Sequence, residues 1–381
     1  MKSLQGIIQP WPRYVDRFFR LFDVPDTVSK DWLKLAMILF VMLVMGISGM
    51  FLQRAIAQAG NNNLWTDESN GMSARTASYY QLITGDLASQ ASRAPLDYIA
   101  QKFFDQTAGR LLFARIPPNI YYRLNSIFYI WSSGLLIMLF IFFRIRRDAR
   151  NYLVLLAQII FLAAALYHYY FWHENFRYWI QMRPYALWCT LWFMILALFF
   201  VDGRLRVWPF SILFILLAAT MTAAIYQLFS FGLAFAVIQF VQKEKIRDIM
   251  QIVLKFFFIP LAVSLYYILI DCSTIYGWSA NAHEYFKEFF HFWLTKEMIP
   301  LLSVLGILIT VWIKELRNHT VVFLAALILY LISPLINYAV VSRGIFFSSR
   351  HYIYYDLIYS VFLMSMAMVM PVYLEKIRKA I

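Results

Sequence analysis

Charge is what this chain has little of. Asp, Glu, Lys and Arg make up 14% of its 381 residues, where a soluble domain carries about a quarter. That shortfall excludes an ordinary soluble enzyme. Cysteine is nearly absent as well. Cys189 and Cys272 both fall in or beside apolar runs, and they offer neither a disulfide framework nor metal-ligand spacing. No internal repeat is visible, whereas many secondary transporters are built from two related halves. The net charge of +13 comes with no nucleic-acid motif.

What is present is hydrophobicity. Residues of the apolar and aromatic classes reach 62%, and several runs attain the ~20 residues that cross a bilayer as a helix. The expected fold is an all-α polytopic membrane protein of about ten spans. They are predicted at 33–52, 125–143, 152–172, 184–201, 207–225, 231–242, 249–271, 299–313, 320–340 and 352–373. The uncharged stretch 207–241 is too long for one span and short for two, and Phe-Ser-Phe-Gly at 229–232 is read as its turn. No cleaved signal peptide is expected, because the segment ahead of the first apolar run is too long for a usual n-region. Ala57-Gln58-Ala59 nonetheless has the look of a cleavage site.

The basic residues supply the orientation. RIRRDAR (144–150), RLR (204–206), KEKIR (243–247), KELR (314–317) and EKIRK (375–379) recur at alternate connections. Short basic loops face the cytoplasm, so both termini are predicted inside. The outer side then receives one long loop, 53–124, and shorter ones at 173–183, 272–298 and 341–351. Within the long loop, PLDYIAQKFFDQTAGRLLFARI (95–116) spaces apolar residues at helical intervals. It reads equally as a helix in the interface plane or a plain surface helix.

Polar residues gather at this outer face: Asp67 and Glu68; His168, His173, Glu174, Arg177 and Arg183; Tyr226 and Gln227; Arg343, Arg350 and His351; and Asp356, one turn inside the last span. Ionisable groups near hydrocarbon are costly and usually line a cavity or path. Most of the aromatics in YHYYFWHENFRYW (167–179) suit an interfacial belt. A carboxylate can deprotonate an acceptor hydroxyl, and an arginine fork can hold a phosphate. A sugar carried on a lipid phosphate needs no general acid, because the phosphate departs as a stable anion. A glycosidase needs two carboxylates at a set separation, which adjacent residues on one segment do not supply. The pattern favours a transferase over a hydrolase.

Three segments carry a resemblance. The first is the acidic pair Asp67 and Glu68, followed by Tyr79-Tyr80 and Gly85-Asp86. The second is APLDY (94–98) with FARIP (113–117). The third, and most specific, is MRPYAL (182–187). In these segments the chain resembles the GT-C superfamily of membrane glycosyltransferases, nearest to the protein O-mannosyltransferase and lipid A aminoarabinose transferase branch. SRHY (349–352) is a weaker match. The likeness covers roughly 35–200 and is loose beyond. Tyr226-Gln227 stands where members often have Thr-His, and the large soluble C-terminal domain of many relatives has no counterpart, which puts protein acceptors in doubt.

The resemblance implies one GT-C-like transmembrane domain over 1–381, a polyprenyl-phosphate-sugar donor used on the non-cytoplasmic side, and inversion at the anomeric carbon. The general base it implies is Asp67, with Glu68 second. Arg183 and Arg350 would hold the donor phosphate, and Tyr185, His173, Glu174 and Tyr352 would line the pocket. Asp86 and Asp97 are read as loop surface or helix caps. His173 and Glu174 could help a divalent ion, since some relatives use a metal and others do not. The acceptor would be a glycan, lipid or protein, with a partner subunit as one way to present it. A bacterial inner membrane is the expected location. Two other classes compete: a transporter of lipid-linked glycan, which needs polar residues through the whole depth, and a glycan polymerase or ligase, whose long loop is expected late in the chain.

Overall fold

The computed structural model describes residues 30–64, 68, 72, 75–86, 94–109, 111, 115–147, 152–202, 207–242, 244–273, 282–296, 298–341 and 357–380. These form helices and their connections, with no strand among them. Seven helices among them are long and apolar enough to cross a membrane. They are α1 (Lys30–Asn61), α5 (Leu124–Arg147), α6 (Tyr152–Phe171), α10 (Ala224–Val241), α11 (Ile246–Ser273), α14 (Arg317–Val341) and α15 (Leu357–Ala380). Three shorter apolar helices join them, α8 (Tyr185–Asp202), α9 (Val207–Thr220) and α13 (Met298–Thr310), and α12 (Ala282–Leu294) packs on α14. The chain is an all-α polytopic membrane protein, and the expected apolar runs fall on these helices except that 207–225 crosses the end of α9 into α10 and 352–356 lies outside the described residues.

Helix α1 shows why these segments pack as they do. Phe40, Val44, Phe51, Ala55 and Ala59 are fully buried and lie on one face, while Leu35, Met42, Met45 and Met50 are exposed. Water would penalise such an apolar face; lipid does not. The buried face meets α5 and α6, with Phe40 stacked on Phe142 at 4.1 Å and Phe51 on Tyr170 at 4.5 Å. Further pairs extend the bundle: α5 with α8, α6 with α15, α9 with α11, α10 with α14, and α13 with α14. Two glycines permit close approaches between helices of the bundle. A Cβ on Gly134 would lie 2.7 Å from the Tyr170 ring, and one on Gly306 would overlap Phe323.

The turn expected at 229–232 is not there. The break falls at 221–223, and α10 runs through the Phe-Ser-Phe-Gly stretch. Ser230 satisfies its hydroxyl on the Gln227 carbonyl within the helix, and Gly232 faces the Phe257 ring of α11. Trp188 of α8 donates to Gln227 Oε1 at 2.8 Å, fixing the start of α10. Packing thus overrides the local breaker signal.

The first loop is built from small helices. They are α2 (Tyr79–Thr84), α3 (Leu96–Phe104) with a π-helical turn (Asp105–Gly109), and α4 (Pro118–Tyr121). A capping box on Ser78 and Gln81 opens α2, and Gly85, at φ 70°, closes it. Of the segment 95–116 read as helical, 96–109 is helical, α and then π, while 110 and 112–114 lie outside the described residues. The loop docks across the bundle. Tyr267 of α11 donates to the Ile83 carbonyl at 3.0 Å, α3 packs on α9, and α4 on α1.

Candidate functional site

Two polar constellations converge where the first loop meets the bundle. The first centres on Glu68. Arg123, just ahead of α5, donates through Nε to Glu68 Oε1 at 2.9 Å and through Nη2 to Oε2 at 2.7 Å. Glu68 is 1% exposed and Arg123 3%. The remaining guanidinium hydrogens reach the carbonyls of Ala59, Asn62 and Asn63 at 2.8, 2.8 and 3.0 Å. Glu68 Oε1 also accepts the Met182 backbone N–H at 2.8 Å. One carboxylate thus ties the end of α1, the start of α5 and the 181–184 turn. Buried ions require this kind of full pairing. Both Glu68 oxygens are engaged, which is the geometry of an anchor rather than of a free base.

The second constellation lies beside it, linked through consecutive residues. Tyr122 sits under the Arg75 guanidinium at 5.2 Å, and Tyr121 donates to Asp105 Oδ1 at 2.7 Å. Burial and that hydrogen bond push the Tyr121 hydroxyl well above the usual phenol range. Arg75 is 8% exposed, and its Nε lies 3.3 Å from Asp105 Oδ2. Asp97 is fully buried and receives Gln101 Nε2 at 2.6 Å, one turn along α3. Burial pushes the Asp97 carboxyl up to about 7, with Arg75 and the Gln101 hydrogen bond pulling the other way. Lys102, on the outer side of α3, donates to the carbonyls of Arg75 and Ala77 at 3.2 and 2.6 Å and so fixes the Arg75 segment on the helix. Five atoms of the cluster stay without a hydrogen-bond partner among the described residues: Arg75 Nε, which faces Asp105 as an ion pair only, Arg75 Nη1 and Nη2, Asp97 Oδ1 and Gln101 Oε1. An unmet buried polar group costs about 1–3 kcal/mol.

The expected site residues fare differently. Arg183 is half-buried, its guanidinium 5.0 Å from the Tyr185 ring centroid. Tyr185 is fully buried, and Tyr178 meets it edge-on at 5.6 Å. These two stand one residue and three residues after Met182, so the Glu68 anchor brings them to the first loop. His173 and Glu174 open the short helix α7 (His173–Trp179); their side chains lie outside the described residues. So do Asp67, Arg350 and Tyr352, along with Arg343, His351 and Asp356. No group of three or more His, Cys, Asp or Glu occurs among the described residues, and no metal donor set is assigned. His168 pairs with Ser360 at 3.0 Å and stacks on Tyr359 at 4.8 Å. Gln227 is taken by Trp188.

Asp97 corrects an expectation. It is neither surface nor cap, and Asp86, by contrast, is exposed. The clue lay in the sequence: Asp97 and Gln101 stand at i and i+4, on the face that α3 buries with Tyr98. Arg75 carried no comparable signal.

Scans against protein-family models, curated proteins and solved structures find no match to this chain.

Proposed function

We propose that this chain is a GT-C-type membrane glycosyltransferase. It takes a sugar from a polyprenyl-phosphate donor and passes it to a glycan, lipid or protein hydroxyl on the non-cytoplasmic face. The observation that carries the reading is the 2.8 Å contact of Glu68 Oε1 with the Met182 N–H. It joins the acidic pair of the first loop to the MRPYAL turn, two segments separated by more than a hundred residues and both central to the resemblance.

In this reading Asp67 is the general base, one peptide from the anchored Glu68. It takes the proton of the acceptor hydroxyl as the oxygen attacks the anomeric carbon. The bond from that carbon to the phosphate oxygen breaks, the phosphate leaves as an anion against Arg183 and Arg350, and the anomeric configuration inverts. Glu68 and Arg123 contribute by holding the loop, since a small misplacement of a reacting group is costly in rate. The about ten spans, the cytoplasmic termini and a bacterial inner membrane belong to the same reading, as does a partner subunit that presents the acceptor.

The distribution of buried charge favours this over a transporter of lipid-linked glycan. Among the described residues the buried charged side chains are Glu68, Arg75, Asp97, Arg123 and Lys296, all in segments assigned to the outer face. The buried polar groups deeper in the bundle, such as Ser133, Gln158, Thr190 and Ser303, carry no charge. A through-path for an anionic lipid-linked glycan calls for charge at several depths.

The test is transfer of radiolabel from a panel of polyprenyl-phosphate sugars by the purified chain in proteoliposomes made with cell-envelope lipid extract. Labelled product of inverted configuration is expected. Label that crosses the bilayer still attached to its lipid would replace the transferase with the transporter.

A further inference from the structure

The atoms left over in the Arg75–Asp97–Gln101 cluster specify a ligand by their chemistry. Arg75 offers Nη1 and Nη2 as donors, while Asp97 Oδ1 and Gln101 Oε1 are open as acceptors. Asp97 and Gln101 are fully buried, and Arg75 is more than nine-tenths buried. Their other contacts are fixed: Gln101 Nε2 on Asp97 Oδ2 at 2.6 Å, Asp105 Oδ2 at 3.3 Å from Arg75 Nε, and Tyr122 under the guanidinium. Tyr129, at the start of α5, lies within electrostatic reach of both Asp97 and Arg75.

Three kinds of ligand can be weighed against this set. A phosphate would satisfy Arg75 but bring its charge against the Asp105 carboxylate, which already faces the guanidinium. A metal ion would satisfy Asp97 and Gln101 but face the guanidinium. A neutral polyol answers all four atoms without charge conflict, because each hydroxyl both donates and accepts. Two neighbouring hydroxyls can take the Arg75 fork on their oxygens and give their protons to Asp97 and Gln101.

We propose that Arg75, Asp97 and Gln101 form a binding site for adjacent hydroxyls of a sugar ring. The assignment deepens the transferase reading and rests on it only for whose sugar is held, the donor's or the acceptor's. The raised carboxyl of Asp97 fits this use, since near neutral pH it can either accept a hydroxyl proton or donate one.

The experiment reads binding without turnover. The full chain in phospholipid nanodiscs, free of sugar-headed detergent, is titrated with methyl glycosides of mannose, glucose and N-acetylglucosamine under saturation-transfer NMR. At least one glycoside is expected to give a signal that falls fivefold or more in Gln101→Leu and in Asp97→Asn. Both variants are used because either alone could misfold, and only variants that melt as the wild type does are scored. Inorganic phosphate is expected not to compete. No signal from any glycoside would mean that the cluster holds buried water only, and the proposal fails. Competition by phosphate would make it an anion site, and the proposal also fails. Glycoside binding in a chain that transfers no sugar would keep this site and remove the transferase. Unaltered kcat and KM in a transfer-competent Gln101→Leu would do the reverse. A raised KM for the polyprenyl donor, or for the acceptor, names which sugar is held.

Discussion

Arg123 grips both oxygens of Glu68 at 2.9 and 2.7 Å across 55 residues of chain. The pair is buried, bidentate and shared with the Met182 amide, so it sets where the first loop sits on the bundle. Breaking a buried pair from one side leaves an uncompensated charge worth about 3–5 kcal/mol. Glu68→Ala is therefore expected to lower the melting temperature and to expose residues 64–86 to protease and hydrogen exchange. Glu68→Leu with Arg123→Met should recover much of the stability, because no ion is then left alone. Unchanged exchange in the single variant would remove the anchor.

The Asp97 carboxyl gives the chain a pH dependence of definite sign. Its pKa is pushed from 3.8 to about 7 in the folded state, chiefly by burial. Between those values the folded chain keeps a proton that the unfolded chain releases. The associated stability is complete below about pH 4, is lost as pH rises toward about 7, and changes little above that. Arg75, Asp105 and Tyr121 share the cluster, and Arg75 offsets part of the effect. Melting curves from pH 4 to 8 are expected to fall for the wild type and to flatten for Asp97→Asn. Equal slopes in the two proteins would contradict it.

The glycines divide by what surrounds them. Nothing lies within 4 Å of a Cβ on Gly46 or Gly49 of α1, whereas one on Gly306 meets the Phe323 ring. Gly46→Ala is expected to be neutral or to stabilise by up to about 1 kcal/mol, through helix propensity. Gly306→Ala is expected to destabilise by about 1–3 kcal/mol, through overpacking between α13 and α14. Thermal unfolding of both variants in one detergent checks the pair, and a Gly306→Ala protein as stable as wild type would contradict the packing.

How much of this was legible in the sequence depended on the range of the interaction. The apolar helices were, because each is written in a continuous run of residues. The break between α9 and α10 was not, since 221–223 holds no glycine or proline, and the stretch 229–232 is absorbed by Ser230's bond to Gln227 and Gly232's contact with Phe257. The acidic pair draws attention to the first loop, but what Glu68 contacts is set by Arg123, which nothing nearby in the chain announces. Asp97 reads as solvent-facing in the sequence because a polar face on a short helix looks so until the fold buries it. Arg75 could be found only from the fold.

The account's central claim is that Asp67 does the chemistry while Glu68 holds the loop, and one comparison tests it most directly. Transfer of radiolabelled sugar from the polyprenyl-phosphate donor is measured for wild type, Asp67→Asn and Glu68→Gln, with donor binding and melting temperature followed for each. Asp67→Asn is expected to bind donor and melt as wild type does, with transfer reduced at least a hundredfold, within the ~10²–10⁴-fold range of general-base catalysis. Glu68→Gln is expected to melt lower and to keep measurable transfer at temperatures where it stays folded. Full transfer by Asp67→Asn, or abolished transfer in a fully folded Glu68→Gln with donor still bound, would contradict the assignment.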